Sequence, residues 1–416
     1  MRDVSYTSPH RSEFGSVTRI DGLRLCGSGG ANRAMEAEFK RVVPRALGVP
    51  LKEKPKRVDE QNLRYPFRPD LAWAALHYLR TPSRILWDMA SFGAPRLEPL
   101  YEQIRDFVAQ DAPDGWLNHG LGLSVEIKNI GDFPASPLQV RGTVKNGVMD
   151  GARERGYRLQ LAPDDPELIV SIQQVEGELV LSLDLVGKSQ HRRGYRLDIG
   201  EAPLKENLAA QMLMLARWNP RTEALLDPMM GAGTLPVEAA LMAAGSPIWG
   251  KARPPAHSLP VFSELGKRAR PDLFPGDTPA ILGNDEDPRA FEAAEANTRR
   301  AKVGDRVVYT KGSFQDIDAD SLQAAWRGAG FGDPELSSGL VICNPPYGER
   351  LGEEEDVIEL YVDLVRWGQA MGPNWRFCFI SGHPALEQCI PTQPRLKKPM
   401  SNGPLKAHVL VYDSLI

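Results

Sequence analysis

The stretch Leu225-Leu226-Asp227-Pro228-Met229-Met230-Gly231-Ala232-Gly233-Thr234, continuing into LPVEAALMAA (235–244), decides the fold. An apolar strand ends in an acidic residue, turns through two glycines and opens a helix. The glycines let backbone approach a ligand closely, and the helix start supplies N–H donors. A phosphate loop would need Gly-Lys-Ser/Thr, and no lysine is present. A dinucleotide turn would need a third Gly or Ala at 236, where Pro236 stands. A carboxylate at the strand end repels pyrophosphate and suits a ligand carrying an ammonium group and a sulfonium. The bland alternative is a tight turn that binds nothing.

Working outward from this turn, the strands LLDP, AILGND, VVYTKG, LVICNPP, RFCFIS and HVLVYD alternate with helical stretches from about Gly194 onward. That alternation predicts a doubly wound α/β sheet with ligands at the strand C-termini. The ammonium-and-sulfonium argument makes S-adenosylmethionine the expected cofactor, with Asp227, Pro228, Gly231 and Gly233 at its amino-acid end. The second strand ends in Gly283-Asn284-Asp285-Glu286-Asp287. Asp285, nearest the strand end, is placed to accept the ribose hydroxyls, while Glu286 and Asp287 are expected to cap the next helix. After the third strand, Ser313 or Asp316 could reach the adenine amino group, and the sequence does not separate them.

The fourth strand runs into Asn344-Pro345-Pro346-Tyr347, 110 residues after the glycine turn. An aromatic amine is a poor nucleophile because its lone pair is delocalised into the ring. Holding both of its N–H bonds lets the nitrogen become tetrahedral. The Asn344 side-chain oxygen can accept one N–H and the Pro345 carbonyl the other. The consecutive prolines fix the backbone and remove competing donors. Tyr347 can stack on a base swung out of its helix. Asn-Pro-Pro could also merely end a strand. The chemistry expected is in-line methyl transfer by positioning and electrostatics, with no metal and no covalent intermediate.

Upstream, residues 1–22 read as a loose tail and 23–67 as one helical stretch (MEAEFKRVVPRAL) between polar, Lys-rich segments. Gly27–Gly30 (GSGG) reads as a plain turn. Residues 68–187 alternate helix patterns (DLAWAALHYLR, LEPLYEQIRDFVAQ) with strand patterns (GLSVEIKNI, LIVSIQQVEG, LVLSLDLVG), an α+β region with a mostly antiparallel sheet. The catalytic region is then 188–416. Net charge is -4, which alone does not point to nucleic acid, but positive potential can be local. Residues 1–65 hold 13 Lys and Arg against 8 Asp and Glu, and Lys188, Arg192, Arg193 and Arg196 form a second basic run around Tyr195. These four are the candidate RNA contacts, a solvated surface being the alternative. No apolar run approaches the roughly 20 residues needed to span a bilayer. The N-terminus has no apolar core of a secretory signal. The four cysteines lack zinc spacing. A cytoplasmic protein with free thiols, no membrane partner and no metal is expected.

The segments HRRGYR (191–196), APLKENLAA (202–210), LLDPMMGAGTLPVEAALMA (225–243), GNDEDPRAFEAAEANTRRA (283–301), NPPYGERLG (344–352) and NGPLKAHVL (402–410) together carry a family resemblance. The chain resembles the THUMP-domain class I S-adenosylmethionine-dependent RNA methyltransferases. It is most similar to the bacterial enzymes that methylate guanine N2 in 23S ribosomal RNA. The resemblance is strong over about 190–416, weaker over 68–187 where a THUMP domain would lie, and faint before 67, where a ferredoxin-like cap would lie. It implies a Rossmann-like catalytic domain, S-adenosylmethionine, and RNA capture by the N-terminal half. It also implies Asp227, Gly231 and Gly233 at the methionine end, Asp285 at the ribose and Asn344 to Tyr347 at the target base. The family usually has an acidic residue near Ser313, and Met230 stands where Cys is common. A tRNA guanine-N2 enzyme, a DNA adenine-N6 enzyme that uses the same Asn-Pro-Pro-Tyr chemistry, and an inactive RNA-binding ribosome-assembly factor are the competing expectations.

Overall fold

The structure, a computed structural model, describes residues 15–197, 204–249, 253–276, 280–330, 338–346, 354–402 and 405–416. The described residues fall into two compact units. One takes residues up to Cys26, Val43–Ser189 and Trp249–Arg270. The other takes Gly27–Val42, Gln190–Ile248 and Pro271–Ile416.

The first unit is built on eight strands: β1 (Val17–Cys26), β2 (Lys56–Arg57), β3 (Asn62–Pro66), β4 (Arg84–Phe92), β5 (Gly122–Ile127), β6 (Gln160–Leu161), β7 (Leu168–Val175) and β8 (Glu178–Asp184). They form one sheet in the order β2-β3-β1-β4-β8-β7-β5-β6, in which only the β5–β7 and β5–β6 pairings are parallel. The mostly antiparallel sheet expected from the sequence is present, but its limits differ. β1 begins at Val17, inside the stretch read as tail, and pairs with β4 from Val17↔Phe92 to Cys26↔Arg84. The segments 23–67 and 68–187 therefore share one sheet instead of forming separate domains. The sequence reading passed over β4 because this central strand is buried along almost its whole length, so the alternation that marks a half-exposed strand is missing.

A buried polar strip crosses five adjacent strands of this sheet. Asp88 on β4 accepts Arg24 Nε from β1 at 3.0 Å, Arg64 Nε from β3 at 2.8 Å and the Ser182 hydroxyl from β8 at 2.7 Å. Arg24 also donates to Gln173 of β7 at 3.2 Å. Arg24 and Asp88 are both fully buried, so each charge depends on the other for the solvation that water no longer supplies.

In the second unit, α1 (Asn32–Leu47) contributes its first turns. The 27–30 turn is a turn as expected, with Ser28 donating to Gln211 at 2.9 Å. The remaining helices are α2 (Pro69–Tyr78), α3 (Leu97–Asp106) and α4 (Pro137–Glu154) of the first unit, then α5 (Glu206–Leu215), α6 (Thr234–Ala244), the single turn α7 (Ser263–Gly266), α8 (Pro288–Ala301), α9 (Ala319–Gly328), α10 (Glu354–Ala370) and α11 (Ala385–Cys389). The strands are β9 (Ala224–Asp227), β10 (Ile281–Asp285), β11 (Val308–Lys311), β12 (Gly339–Cys343), β13 (Trp375–Ser381), β14 (Leu396–Asn402) and β15 (Leu405–Tyr412). Their order is β11-β10-β9-β12-β13-β15-β14, parallel through β13, with β15 antiparallel to both neighbours. This is a Rossmann-like doubly wound sheet. Period-two alternation puts Leu225, Leu340, Ile342, Cys378 and Ile380 into the core on one face and Leu226, Val341, Cys343, Phe377 and Phe379 into the core on the other. The chain moves outward from β9 to β10 and β11, then returns to β12 on the other side of β9. The switch point therefore lies at the C-terminal ends of β9 and β12, where doubly wound sheets bind ligands.

Against the division expected at residue 188, the units part between Ser189 and Gln190, and two further segments change sides. Residues 249–270 pack in the first unit because Ala256, Leu259 and Phe262 are buried there, and 27–42 in the second because Ala34 joins its core.

Replacing Asp88 with Ala strands Arg24 as an unpaired buried cation. The expected loss is about 3–5 kcal/mol of unfolding free energy, read from urea denaturation. A change below about 1 kcal/mol would show that the strip contributes nothing to stability.

Candidate active site

Asp227 ends β9 and is 1% exposed. Its carboxylate accepts the Met229 N–H at 3.3 Å. Burial, reinforced by the nearby Asp285 carboxylate, pushes its carboxyl well above the usual carboxylate range. An uncompensated carboxyl at a strand C-terminus is a strong attractor for a cationic group. Gly231 and Gly233 follow in left-handed conformation, with φ of 53° and 76°. Gly233 starts α6, and a Cβ there would stand 2.9 Å from the Ala294 Cβ. At Gly231 a Cβ would meet nothing within 4 Å, so this part of the turn faces open space.

The ends of β9, β10 and β11 are tied together by Asn284, which is 2% exposed. Its amide nitrogen donates to the Pro228 carbonyl at 3.2 Å and the Gly312 carbonyl at 2.9 Å. Its amide oxygen accepts the Thr310 hydroxyl at 2.9 Å, and its backbone carbonyl accepts the Met230 N–H at 2.9 Å. Asn297 of α8 holds the next carbonyl, that of Ala232, at 3.0 Å. Neither asparagine was singled out from the sequence. The only available signal was an amide inside an otherwise apolar strand end, which must find partners once buried.

Asp285 stands beside Asp227 on the adjacent strand. Its Oδ2 accepts the Gly231 N–H at 2.8 Å and its Oδ1 the Asp287 N–H at 3.0 Å. One carboxylate thus joins the glycine turn to its own loop, with lone pairs left over. Asp287 caps α8 as expected, accepting the Arg289 N–H at 2.9 Å. The Ser313 hydroxyl caps the 3-10 turn Phe314–Asp316 by accepting the Gln315 N–H at 3.2 Å, and Asp316 is exposed.

Asn344 follows β12, whose register with β9 runs Leu340↔Leu225 and Val341↔Leu226. This register carries β12 past the end of β9, and Asn344 follows Cys343 at the same C-terminal edge of the sheet as Asp227. The Asn344 Oδ1 is buried with no hydrogen-bond partner among the described residues. Pro345 is buried, and the Pro346 carbonyl accepts the Tyr361 hydroxyl at 3.0 Å, which fixes the far end of the tetrad. Tyr347 lies outside the described residues. Asp227, Pro228, Gly231, Gly233, Asp285 and Asn344 therefore lie at the C-terminal ends of the adjacent strands β9, β10 and β12 and in the loops that follow them.

The basic run divides differently. Arg193 pairs with Glu238 of α6 at 2.9 Å, with side chains 2% and 0% exposed. The Tyr195 hydroxyl donates to the same glutamate at 3.0 Å. Arg196 reaches Glu206 of α5 at 3.3 Å and donates to the Leu204 carbonyl. These two arginines are structural cations that neutralise buried carboxylates, so the expectation that they bind RNA is corrected. Arg192 and Lys188 are exposed. Among the described residues, no group of three His, Cys, Asp or Glu could hold a metal ion, and no helix is long and apolar enough to cross a membrane.

Arg193→Ala removes the guanidinium that faces the buried Glu238 carboxylate, which keeps the Tyr195 hydroxyl. The variant should lose about 3–5 kcal/mol of stability while the salt dependence of any RNA binding stays unchanged. A flattened salt slope with an unchanged melting temperature would reverse this assignment.

Comparison with known proteins adds the family. The model of the RMKL-like methyltransferase domain matches residues 193–410. Ribosomal RNA large subunit methyltransferase K/L of Cellvibrio japonicus is 34% identical over 366 residues, covering 83% of this chain and 46% of that protein. The chain spans about half the length of the curated relatives it matches. SMU.472, assigned as a methyltransferase and solved in complex with SAH, superposes with a TM-score of 0.74 at 22% identity, covering 95% of this chain and 98% of that one. A protein from Listeria monocytogenes described as a predicted N6-adenine-specific DNA methylase gives 0.74 at 24% identity, over 94% and 95%. With the switch-point site and a family match over more than half of its length, this chain belongs to the RMKL-like methyltransferase-domain family.

Proposed function

We propose that this chain transfers a methyl group from S-adenosylmethionine to the exocyclic N2 amine of a guanine in RNA, with 23S ribosomal RNA as the substrate. The observation that carries the reading is the buried, unpartnered Asn344 Oδ1 at the strand end next to buried Asp227. A buried acceptor without a donor costs about 1–3 kcal/mol, and an incoming amine N–H would relieve that cost. The names of the half-matching relatives, ribosomal RNA large subunit methyltransferases, support the substrate class.

The residues at the switch point fit the cofactor. Asp227 would take its ammonium group. Gly231, with open space where a side chain would project, gives room for close backbone approach. The Asp285 lone pairs not used by backbone N–H groups would take the ribose hydroxyls. Bound S-adenosylmethionine supplies an electrophilic methyl on a sulfonium. The chain's own part is to position the acceptor. Asn344 Oδ1 accepts one amine N–H and the Pro345 carbonyl the other, so the lone pair leaves conjugation. The proline pair and the Tyr361–Pro346 hydrogen bond keep both acceptors fixed. Tyr347 would stack on the base. The first unit would capture RNA as a THUMP-type module with its ferredoxin-like cap. Exposed Lys188 and Arg192 are its candidate phosphate contacts from the basic run.

Incubation with methyl-labelled S-adenosylmethionine and unmodified 23S RNA, tRNA or DNA, followed by nucleoside mass spectrometry, tests the reading. N2-methylguanosine in 23S RNA is expected, and N6-methyladenine in DNA with none in RNA would overturn it. Asn344→Ala should lower kcat by roughly 10²-fold or more with cofactor affinity nearly unchanged. Turnover close to that of the unaltered protein would remove Asn344 from its role. Asp285→Ala should weaken cofactor binding by about 1–3 kcal/mol, measured by calorimetry. Unchanged affinity would move the ribose contact elsewhere, with Asp287 the first alternative.

A further inference from the structure

Residues 249–270 (WGKARPPAHSLPVFSELGKRAR) carry five Lys and Arg against one Glu and play no part in the site described above. In sequence they lie between α6 and β10, yet they belong to the first unit. Their backbone there is firmly anchored. Trp249 Nε1 donates to the Leu76 carbonyl at 2.9 Å and the Val261 N–H to the Gly115 carbonyl at 2.8 Å. Ala256, Leu259 and Phe262 are buried. Apolar anchors hold the segment in place without using its cations.

Of those cations, Lys267 pairs with Glu264 at 2.6 Å. Arg253 and Arg268 are exposed, and Arg270 is half-buried. None of these three arginines makes an ion pair with the described residues. The Arg270 Nη1 is shielded from water and has no hydrogen-bond partner among the described residues, and the same holds for His77 Nδ1. His77 and His257 approach through their Nε2 atoms at 3.2 Å, beside the Trp73 ring. Burial, then Arg270 and His257, pushes His77 down to about 2. Burial, then Arg270 and Arg253, pushes His257 down to about 4. Arg253 and Arg270 both act on this histidine pair, neither forms an ion pair among the described residues, and one Arg270 guanidinium N–H is already stripped of water. Such a surface is complete only when an anion occupies it.

We infer that the 249–270 segment is an RNA-backbone contact, with Arg253, Arg268 and Arg270 binding phosphates. The inference rests on the RNA-methyltransferase reading. A single base drawn into the Asn344 site supplies little affinity and costs unstacking energy, so phosphate contacts elsewhere must hold the RNA. An anchored loop also fixes register in a way that a mobile basic tail cannot. An anionic membrane surface fits less well, because no large apolar side chain of the segment is exposed to enter the lipid.

Filter binding of in-vitro transcribed 23S RNA across a KCl series provides the test. The triple variant Arg253→Ala, Arg268→Ala, Arg270→Ala should bind at least about 10-fold more weakly near 0.15 M salt. Its log–log salt slope should be shallower by about 2, from roughly 0.7–0.9 per lost phosphate contact. Cofactor affinity should not change. Arg253→Gln with Arg268→Gln alters only exposed side chains and should flatten the slope by about 1.5 with an unchanged melting temperature, so misfolding of the triple variant cannot mask the result. If the unaltered protein binds RNA and both variants keep its affinity and slope, the inference is wrong while the proposed function stands. If the unaltered protein binds no RNA, the proposed function falls and this contact with it. Binding to phosphatidylglycerol vesicles that disappears in the triple variant, with RNA binding retained, would also overturn it.

Discussion

A carboxyl group withdrawn from water at the end of a parallel strand governs the second unit. Asp227 is almost completely buried, and burial together with Asp285 opposes its ionisation. Such a group is tolerable only where the backbone around it is held rigidly and a cation can arrive. The rigidity comes from neighbouring strand ends. Asn284 binds one loop from each side through its amide, Asp285 takes the Gly231 N–H, and Asn297 holds the Ala232 carbonyl. The glycine turn is thus held from β10 and α8 as well as by its own left-handed glycines. The left-handed Gly233, with no room for a side chain against Ala294, is the local consequence.

The reactive end depends on the same sheet. β12 returns beside β9 after the outward excursion through β10 and β11, and this parallel pairing puts Asn344 at the same C-terminal edge of the sheet as Asp227. Pro345 and Pro346 have no backbone N–H to offer the Asn344 oxygen, and the Tyr361 hydroxyl donates to the Pro346 carbonyl. Asp227, Asp285 and Asn344 share one edge of the sheet because of the switch in strand order.

Charge placement separates stability from recognition. Arg24 and Asp88 in the first unit, and Arg193 and Glu238 in the second, are pairs whose members are hidden from water. They hold the fold and present nothing to a phosphate. Arg253, Arg268 and Arg270 lie on an anchored segment whose five Lys and Arg outnumber its single Glu. A basic run in a sequence therefore says little until the acids facing it are known, because a carboxylate brought near in space cancels a cation however far apart the two are in the chain.

The sequence by itself determined the second unit's architecture and its site. The strand ending in Asp227, the glycine turn, Asp285 and the Asn-Pro-Pro tetrad are local signals, since each is a strand end with its own turn chemistry. β9 to β13 were legible as short apolar runs ending in turn residues, because their successive side chains enter cores on both faces. The tertiary structure alone decided which basic residues are buried, what holds the glycine turn, and where the units divide. Arg193 reads the same as Arg192 until α6 brings Glu238 against it. β4 hid its strand character because burial on both faces removes alternation. Residues 27–42 and 249–270 belong to units other than those their chain position suggests, because the apolar surface that buries them is contributed by residues distant in sequence.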